Sequence, residues 1–218
     1  MNQLKIALTK GRLEKKATEL FEQMGFDCSE LRDPGRKLLL TIRRGDMEIE
    51  AFLAKAPDVI TYVERGVCDL GVVGKDTIME LGRSFYEVLD LGFGKCRFAL
   101  ATKKGTDFYA DSYRNRVIGT KYPEVTRAFF AKKGMDVDIV KIEGSVELAP
   151  LLGLADGIVD IVETGTTLKE NGLEVIEEVA PISARLIVNL ASMKMKKKEI
   201  LALLDGFNAC LAERKEQK

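Results

Sequence analysis

Asp160-Ile-Val-Glu-Thr-Gly-Thr-Thr-Leu168 is a short apolar run that delivers two acids and turns at Gly165 among small hydroxyl residues. It then continues into helix-friendly Leu168-Lys169-Glu170. A strand that ends in Gly and Thr and opens a helix is the geometry that cradles a phosphate. Backbone N–H groups point outward, hydroxyls add donors, and the helix dipole favours an anion. The preceding acids, Asp160 and Glu163, suit sugar hydroxyls or a divalent ion. The segment therefore points to a phosphorylated sugar. The plain alternative is an ordinary strand-to-helix turn with a threonine N-cap.

Strands alternate with helices on either side of this stretch. Leu4–Leu8 reads as a strand, and Leu13–Met24 as an amphipathic helix with Leu13, Ala17, Leu20, Phe21 and Met24 on one face. Segments 38–42 and 47–52 read as strands around the turn Arg43-Arg44-Gly45-Asp46. Pro57 opens a helix that Gly66 stops. Strands follow at 70–73, 87–91, 97–101, 116–119, 137–142, 157–162, 174–179 and 184–190. Helices are expected after Gly74, at 124–133, near 146–153 and at 196–214. This alternation predicts an α/β architecture.

The chain also repeats itself. Strand, Thr9-Lys10, helix and Gly25-Phe-Asp27 come in the same order as strand, Thr120-Lys121, helix and Gly134-Met-Asp136. Asp69-Leu-Gly-Val-Val-Gly74 matches Asp160–Gly165 in its Asp-to-Gly spacing. Two similar α/β lobes around a cleft are the expectation, residues 1–93 plus 183–218 and residues 94–182. Ligands of open α/β sheets bind beyond the carboxyl ends of the strands. The cleft would then be lined by Thr9-Lys10-Gly11-Arg12, Gly74-Lys75-Asp76, Thr120-Lys121-Tyr122, Glu143-Gly144-Ser145 and residues 160–167. That lining suits a polyanionic substrate with Mg²⁺.

Composition narrows the chemistry. The 218 residues contain 34 Lys+Arg and 34 Asp+Glu, which argues against nonspecific nucleic-acid or membrane binding. No secretory h-region or long apolar run is present, so the cytoplasm is the expected location. Cys28, Cys68, Cys96 and Cys210 lack metal-type spacing and read as reduced thiols, with Cys68 and Cys210 in apolar, core-like patterns. The absence of histidine excludes Ser-His-Asp and Cys-His catalysis, His-ligated zinc and any imidazole base.

Four segments together carry a resemblance. Ala7-Leu-Thr-Lys-Gly-Arg-Leu13, Gly71-Val-Val-Gly-Lys-Asp76, Gly144-Ser-Val-Glu-Leu-Ala-Pro-Leu151 and Asp160–Leu168 resemble, in order, the signatures of ATP phosphoribosyltransferase. The resemblance runs from about residue 4 to residue 190. It implies the first step of histidine biosynthesis, in which ATP and phosphoribosyl pyrophosphate give N1-(5-phosphoribosyl)-ATP and pyrophosphate with Mg²⁺. It also implies a two-lobed fold resembling the type II periplasmic binding proteins. The first lobe would take ATP and pyrophosphate, the second phosphoribosyl pyrophosphate.

By the same resemblance Arg12, helped by Lys10, would contact the pyrophosphate, with Gly11 allowing close backbone approach. Arg36, in the loop Asp33-Pro-Gly-Arg-Lys37, matches an active-site arginine of the family; Arg32 is a weaker candidate. Thr164, Gly165, Thr166 and Thr167 would hold the 5-phosphate, and Asp160 and Glu163 would face the ribose hydroxyls or Mg²⁺. Strand alternation sends those two acids to opposite faces if the strand runs through both. Gly74, Lys75 and Asp76, and Glu143, Gly144 and Ser145, are further substrate-binding candidates. Lys75 and Asp76 equally suit a solvated, capped helix start, and Ser145 an N-cap. The metal ligands stay open.

Ile200, Leu203, Leu204, Phe207 and Leu211 form one apolar stripe, expected to pack on the first lobe. The chain resembles the short form of the family, which works with a regulatory subunit related to histidyl-tRNA synthetase. A dimer within a hetero-oligomer is therefore expected. The alternative is a two-lobed binding or sensing module without catalysis.

Overall fold

The computed structural model describes residues 3–82, 84–110 and 115–216. Its elements begin with β1 (Leu4–Thr9), α1 (Arg12–Gln23), α2 (Ser29–Arg32), β2 (Leu40–Arg44), β3 (Met47–Ala54), α3 (Ala56–Glu64), β4 (Leu70–Gly74), α4 (Lys75–Leu81) and β5 (Tyr86–Asp90). They continue with β6 (Cys96–Lys103), β7 (Arg116–Thr120), α5 (Pro123–Lys132), β8 (Val137–Lys141), α6 (Leu148–Leu151), β9 (Gly157–Val162) and α7 (Thr166–Glu170). The last are β10 (Leu173–Ile182), β11 (Ala184–Val188), α8 (Leu190–Met195) and α9 (Lys197–Glu216). Two compact units result: one holds the chain up to Gly94 and again from Ser183, the other holds Lys95–Ile182.

Each unit is built on one mixed sheet. The first has the order β2-β3-β1-β4-β11-β5, the second β10-β6-β9-β7-β8. Without the added edge strand β2, the first reads β3-β1-β4-β11-β5 and the second, reversed, β8-β7-β9-β6-β10. In both, three parallel strands are followed by two antiparallel ones. The repeat is therefore one of topology as well as sequence.

In the first unit both faces of the sheet are covered. Helix α1 buries Ala17, Leu20 and Phe21, as its 3.6-residue spacing requires. Phe21 packs edge-on against Phe207 of α9, with centroids 5.1 Å apart, and Ile200 and Leu203 join the same core. The C-terminal stripe thus packs where the sequence puts it. On the opposite face Val59, Ile60 and Val63 of α3 meet Ala7, Val73 and Ile187. Strand β4 is buried along its whole length, so it reads as an unbroken apolar run. In the second unit Ala99, Ala101, Ile158 and Val162 form one sheet face, with Val146, Ala149 and Leu168 packed on it.

Several elements differ from their sequence reading. Helix α2 is a single turn with no periodic pattern to announce it. The helix expected near 146–153 is only the turn α6. The last helix, expected at 196–214, is α9, but the short helix α8 before it was not expected, and Lys196 stands between the two. Lys196 Nζ lies 2.8 Å from Asp69 Oδ2 and donates to the Gln3 carbonyl. Asp69 is buried and also accepts from Ser192 Oγ at 2.7 Å and from the Lys5 N–H at 2.8 Å. Asn189 caps α8 by accepting the Ala191 and Ser192 N–H groups.

The repeat also needs one correction. The counterpart of Asp69 is Asp156, not Asp160. The Asp69 N–H donates to the Lys5 carbonyl and its carboxylate accepts the Lys5 N–H. Asp156 does the same with Val117. In each unit this aspartate pins the start of a central strand to its neighbour.

Candidate functional site

The second unit encloses a cavity of about 250 Å³ where β9 ends and α7 begins. Its walls include Asp160, Glu163, Thr164, Gly165, Thr166 and Thr167, together with Glu147 and the alanines 99 and 101. The room has a sequence cause. At the cavity strand β6 contributes Ala99 and Ala101, and Ala99 is the direct cross-strand partner of Asp160. Two methyl groups there leave unfilled the space that larger side chains take in a close-packed interior.

The turn is shaped by Gly165, whose φ of 81° is the left-handed conformation that favours glycine. This orients the first N–H groups of α7, which have no helical acceptor, toward the cavity end of the helix. The Thr164 and Thr166 hydroxyls are 3.0 Å apart. The loop thus concentrates hydroxyls and backbone donors at one point.

The two acids meet. Strand β9 stops at Val162, before Glu163, so the alternation that would separate them ends and both line the cavity. Burial pushes the Asp160 carboxyl above the ordinary carboxylate range, the nearby Glu147 charge pushes the same way, and the Ile161 N–H and Lys121 oppose. Sequence reasoning missed Glu147 and the two alanines. Glu147 stands inside a segment already singled out, Gly144–Leu151, but it is a lone acid beside a single helical turn.

Other candidates in this unit lie close by on the loop after β8. Glu143 is exposed and held below the ordinary range by Lys141, 2.8 Å away, with Lys121 adding to the effect. Gly144 and Ser145 are exposed. Ser145 is not the N-cap: α6 starts three residues later, Glu147 takes the cap position, and the Ser145 carbonyl accepts from the Leu148 N–H.

In the first unit Lys10, Gly11 and Arg12 follow β1, with Arg12 as the first residue of α1. Gly11 has φ 100°, so glycine is required by the backbone turn, and its N–H donates to Glu14 at 3.1 Å. The Lys10 N–H donates to the Ala54 carbonyl, which sets Lys10 beside Lys55 at the ends of parallel β1 and β3; both lysines are exposed. Gly74 caps α4, and a Cβ there would run into the Asp76 carboxylate, which folds back over it. Lys75 pairs with Glu87 at 2.5 Å. Arg32 is committed to Glu22, with Nε and an Nη donating to its two oxygens at 2.8 and 2.6 Å. Arg36 is exposed on the loop before β2. All four cysteines are free, and burial pushes the Cys28 and Cys68 thiols up to about 12.

Residues 55–209 match the sequence profile of the HisG family, ATP phosphoribosyltransferase. A relative from Clostridium kluyveri with that name is 59% identical over 202 residues, 93% of this chain and 91% of its own. One from Clostridium botulinum (strain Langeland) is 56% identical over 214 residues, 98% of this chain and 100% of its own. A chain of the ATP phosphoribosyl transferase (HisG:HisZ) complex from Thermotoga maritima is 34% identical with a TM-score of 0.79, covering 97% of this chain and 100% of that one. The periplasmic aliphatic sulphonate binding protein SsuA from Escherichia coli is 12% identical with a TM-score of 0.63, covering 100% of this chain and 75% of that one, and shares the fold alone. With the signature segments in order and these identities across nearly its whole length, the chain belongs to the ATP phosphoribosyltransferase family.

Proposed function

We propose that this chain transfers the 5-phosphoribosyl group of phosphoribosyl pyrophosphate to N1 of the adenine of ATP, releasing pyrophosphate, as the first step of histidine biosynthesis. The observation that carries the reading is the cavity beside α7, where carboxylates and a Thr-Gly-Thr-Thr turn share one small space. The turn suits the 5-phosphate through N–H and hydroxyl donors. Glu163 and Asp160 suit the ribose hydroxyls. Lys10 and Arg12, at the end of β1, suit the pyrophosphate, with Arg36 a further candidate.

The reaction needs no imidazole. Adenine N1 already presents a lone pair, so no proton has to leave before it attacks. The barrier lies in separating a cationic ribosyl carbon from a pyrophosphate anion. Fixed positive charge helps the leaving group, carboxylates help the ribosyl centre, and binding aligns the two substrates.

Magnesium fits as a companion of the substrate. Among the described residues no group of three or more His, Cys, Asp or Glu side chains is placed to hold a metal ion. Mg²⁺ bound through one or two carboxylates and substrate phosphates needs no such cage. Asp160 and Glu163 are the carboxylates at hand, and the ion would supply charge neutralisation of the pyrophosphate. A regulatory second subunit, as in the heteromeric Thermotoga complex, is the expected partner. No helix of the described residues is long and apolar enough to cross a membrane, and a cytoplasmic location goes with the biosynthetic role.

The test is direct. The protein, with ATP, phosphoribosyl pyrophosphate, Mg²⁺ and pyrophosphatase, should produce the absorbance of an N1-substituted adenine. Arg12→Ala should cut kcat by about 10²–10³-fold, the usual loss for one electrostatic contact to the transition state, without unfolding the protein. No product, alone or with the second subunit, would leave a binding module as the reading.

A further inference from the structure

Glu147 lines the same cavity as Asp160, Glu163 and the threonine turn, yet it comes from a different wall, the residue before α6. It is half-buried, and although it holds the N-cap position its side chain makes no capping hydrogen bond. Among the described residues no hydrogen bond or ion pair engages its carboxylate. Its charge bears on Asp160 in the same direction as burial does. The Glu147 charge and the Asp160 carboxyl share about 250 Å³ of cavity, and a neutral side chain at 147 would relieve the effect of the one on the other. An arrangement that costs stability and sits in the substrate cavity marks a functional group.

We propose that Glu147 is a catalytic carboxylate of the phosphoribosyl transfer, facing the positive charge that develops on the ribosyl carbon and passes to the purine. This rests on the transferase reading above. In the step, the N1 lone pair becomes the N1–C1 bond, and the electron pair of the C1–O bond leaves with pyrophosphate. The purine then carries one positive charge until its N6 amino group gives a proton to water. No carboxylate is needed to take a proton before attack, so the contribution of Glu147 is electrostatic. Asp160, whose burial favours its neutral form, is the weaker counter-charge of the two. Glu163 adjoins the phosphate turn and is spoken for by the ribose.

Glu147→Gln keeps the shape and removes the charge. Measured with saturating ATP, it should lower kcat about 100-fold while leaving KM for phosphoribosyl pyrophosphate within about threefold, the pattern of an interaction made only in the transition state. Glu147→Asp should recover part of the rate. Thermal unfolding supplies the control, since the Gln variant should melt at or above the wild-type temperature. A Gln variant that turns over within about threefold of wild type overturns the proposal. So does one whose melting temperature falls along with its rate, because that is a structural residue. Wild-type protein that makes no product from ATP, phosphoribosyl pyrophosphate and Mg²⁺, alone or with the second subunit, would instead remove the transferase reading beneath it.

Discussion

Gly71→Ala tests how the signature Gly71-Val-Val-Gly74 divides between packing and chemistry. Gly71 lies in β4 between Ala7 of β1 and Ile187 of β11, so its backbone is fixed on both sides. Helix α3 lies directly over it. A Cβ at 71 would stand 2.8 Å from Val59 Cγ1, 2.8 Å from Val63 Cγ2 and 3.2 Å from Ile187 Cγ1. Carbon atoms prefer about 3.5–4.0 Å, so each valine would need to retreat by roughly 1 Å. Both are β-branched on one helix with essentially one favoured rotamer, which leaves lifting α3 as the response. Overpacking of this kind costs about 1–3 kcal/mol, and a buried methyl returns about 0.8 kcal/mol. A net loss of about 1–2 kcal/mol should lower the melting temperature by about 2–8 °C at this chain length. Val59→Ala removes one of the clashing methyls, so the double variant should show a favourable coupling of about 1 kcal/mol in a double-mutant cycle. KM for both substrates should stay at the wild-type value. An unchanged melting temperature, or strict additivity with Val59→Ala, would refute the claim that Gly71 is a packing glycine.

Gly165→Ala meets no crowding, since the nearest atom to its Cβ would be Val162 Cγ1 at 3.7 Å, but it forces alanine into φ 81°. It should cost about 1–2 kcal/mol locally and raise KM for phosphoribosyl pyrophosphate more than KM for ATP, as steady-state kinetics will show. Lys196→Met breaks the pair with buried Asp69 and should destabilise the protein by about 3 kcal/mol in urea unfolding, with no change in KM. Asp160→Asn should stabilise the fold at neutral pH. Because burial raises the folded-state pKa of Asp160, the wild-type residue favours folding only while protonated, and stability is lost as pH rises through that raised value. The melting difference between variant and wild type should therefore be present at pH 7 and vanish below about pH 4, where free aspartate is protonated. A difference constant with pH would rule out burial of the charge as its cause.

What the sequence makes legible is what local pattern controls. The apolar face of α1, the hairpin at Gly45 and the stripe Ile200, Leu203, Phe207 each declare themselves within a dozen residues, although the first hairpin strand lies two residues later than expected, at Leu40–Arg44, and takes Arg43 and Arg44 out of the turn. The short helix α8 was not read, and the side-chain contacts of Ser192 and Lys196 with Asp69 reach across 123 and 127 residues. Arg32 looked available because nothing nearby in sequence marks Glu22 as its partner. The threonine turn was legible as a motif. The cavity beside it was not, since its volume comes from two alanines on another strand and its third acid from a one-turn helix.

The two units also show how one repeated scaffold can leave its strand in two ways. Asp69 and Asp156 start equivalent strands with the same pair of backbone bonds, and Gly74 and Gly165 hold the N-cap positions of the helices that follow. Five positions separate Asp69 from Gly74, whereas nine separate Asp156 from Gly165. Matching the two segments by Asp-to-Gly spacing aligned the caps correctly and so misaligned the aspartates by four residues. Those four extra residues make the difference. In the first unit the strand passes straight into α4, and the Asp76 carboxylate folds back over Gly74 and takes up the space there. In the second the chain goes on past the strand, through Glu163 and Thr164, before the helix begins. The acid thereby leaves the strand's alternation and lines the same cavity as Asp160. A shared strand start with a lengthened strand exit thus separates the tight turn of the first unit from the acid- and threonine-lined cavity of the second.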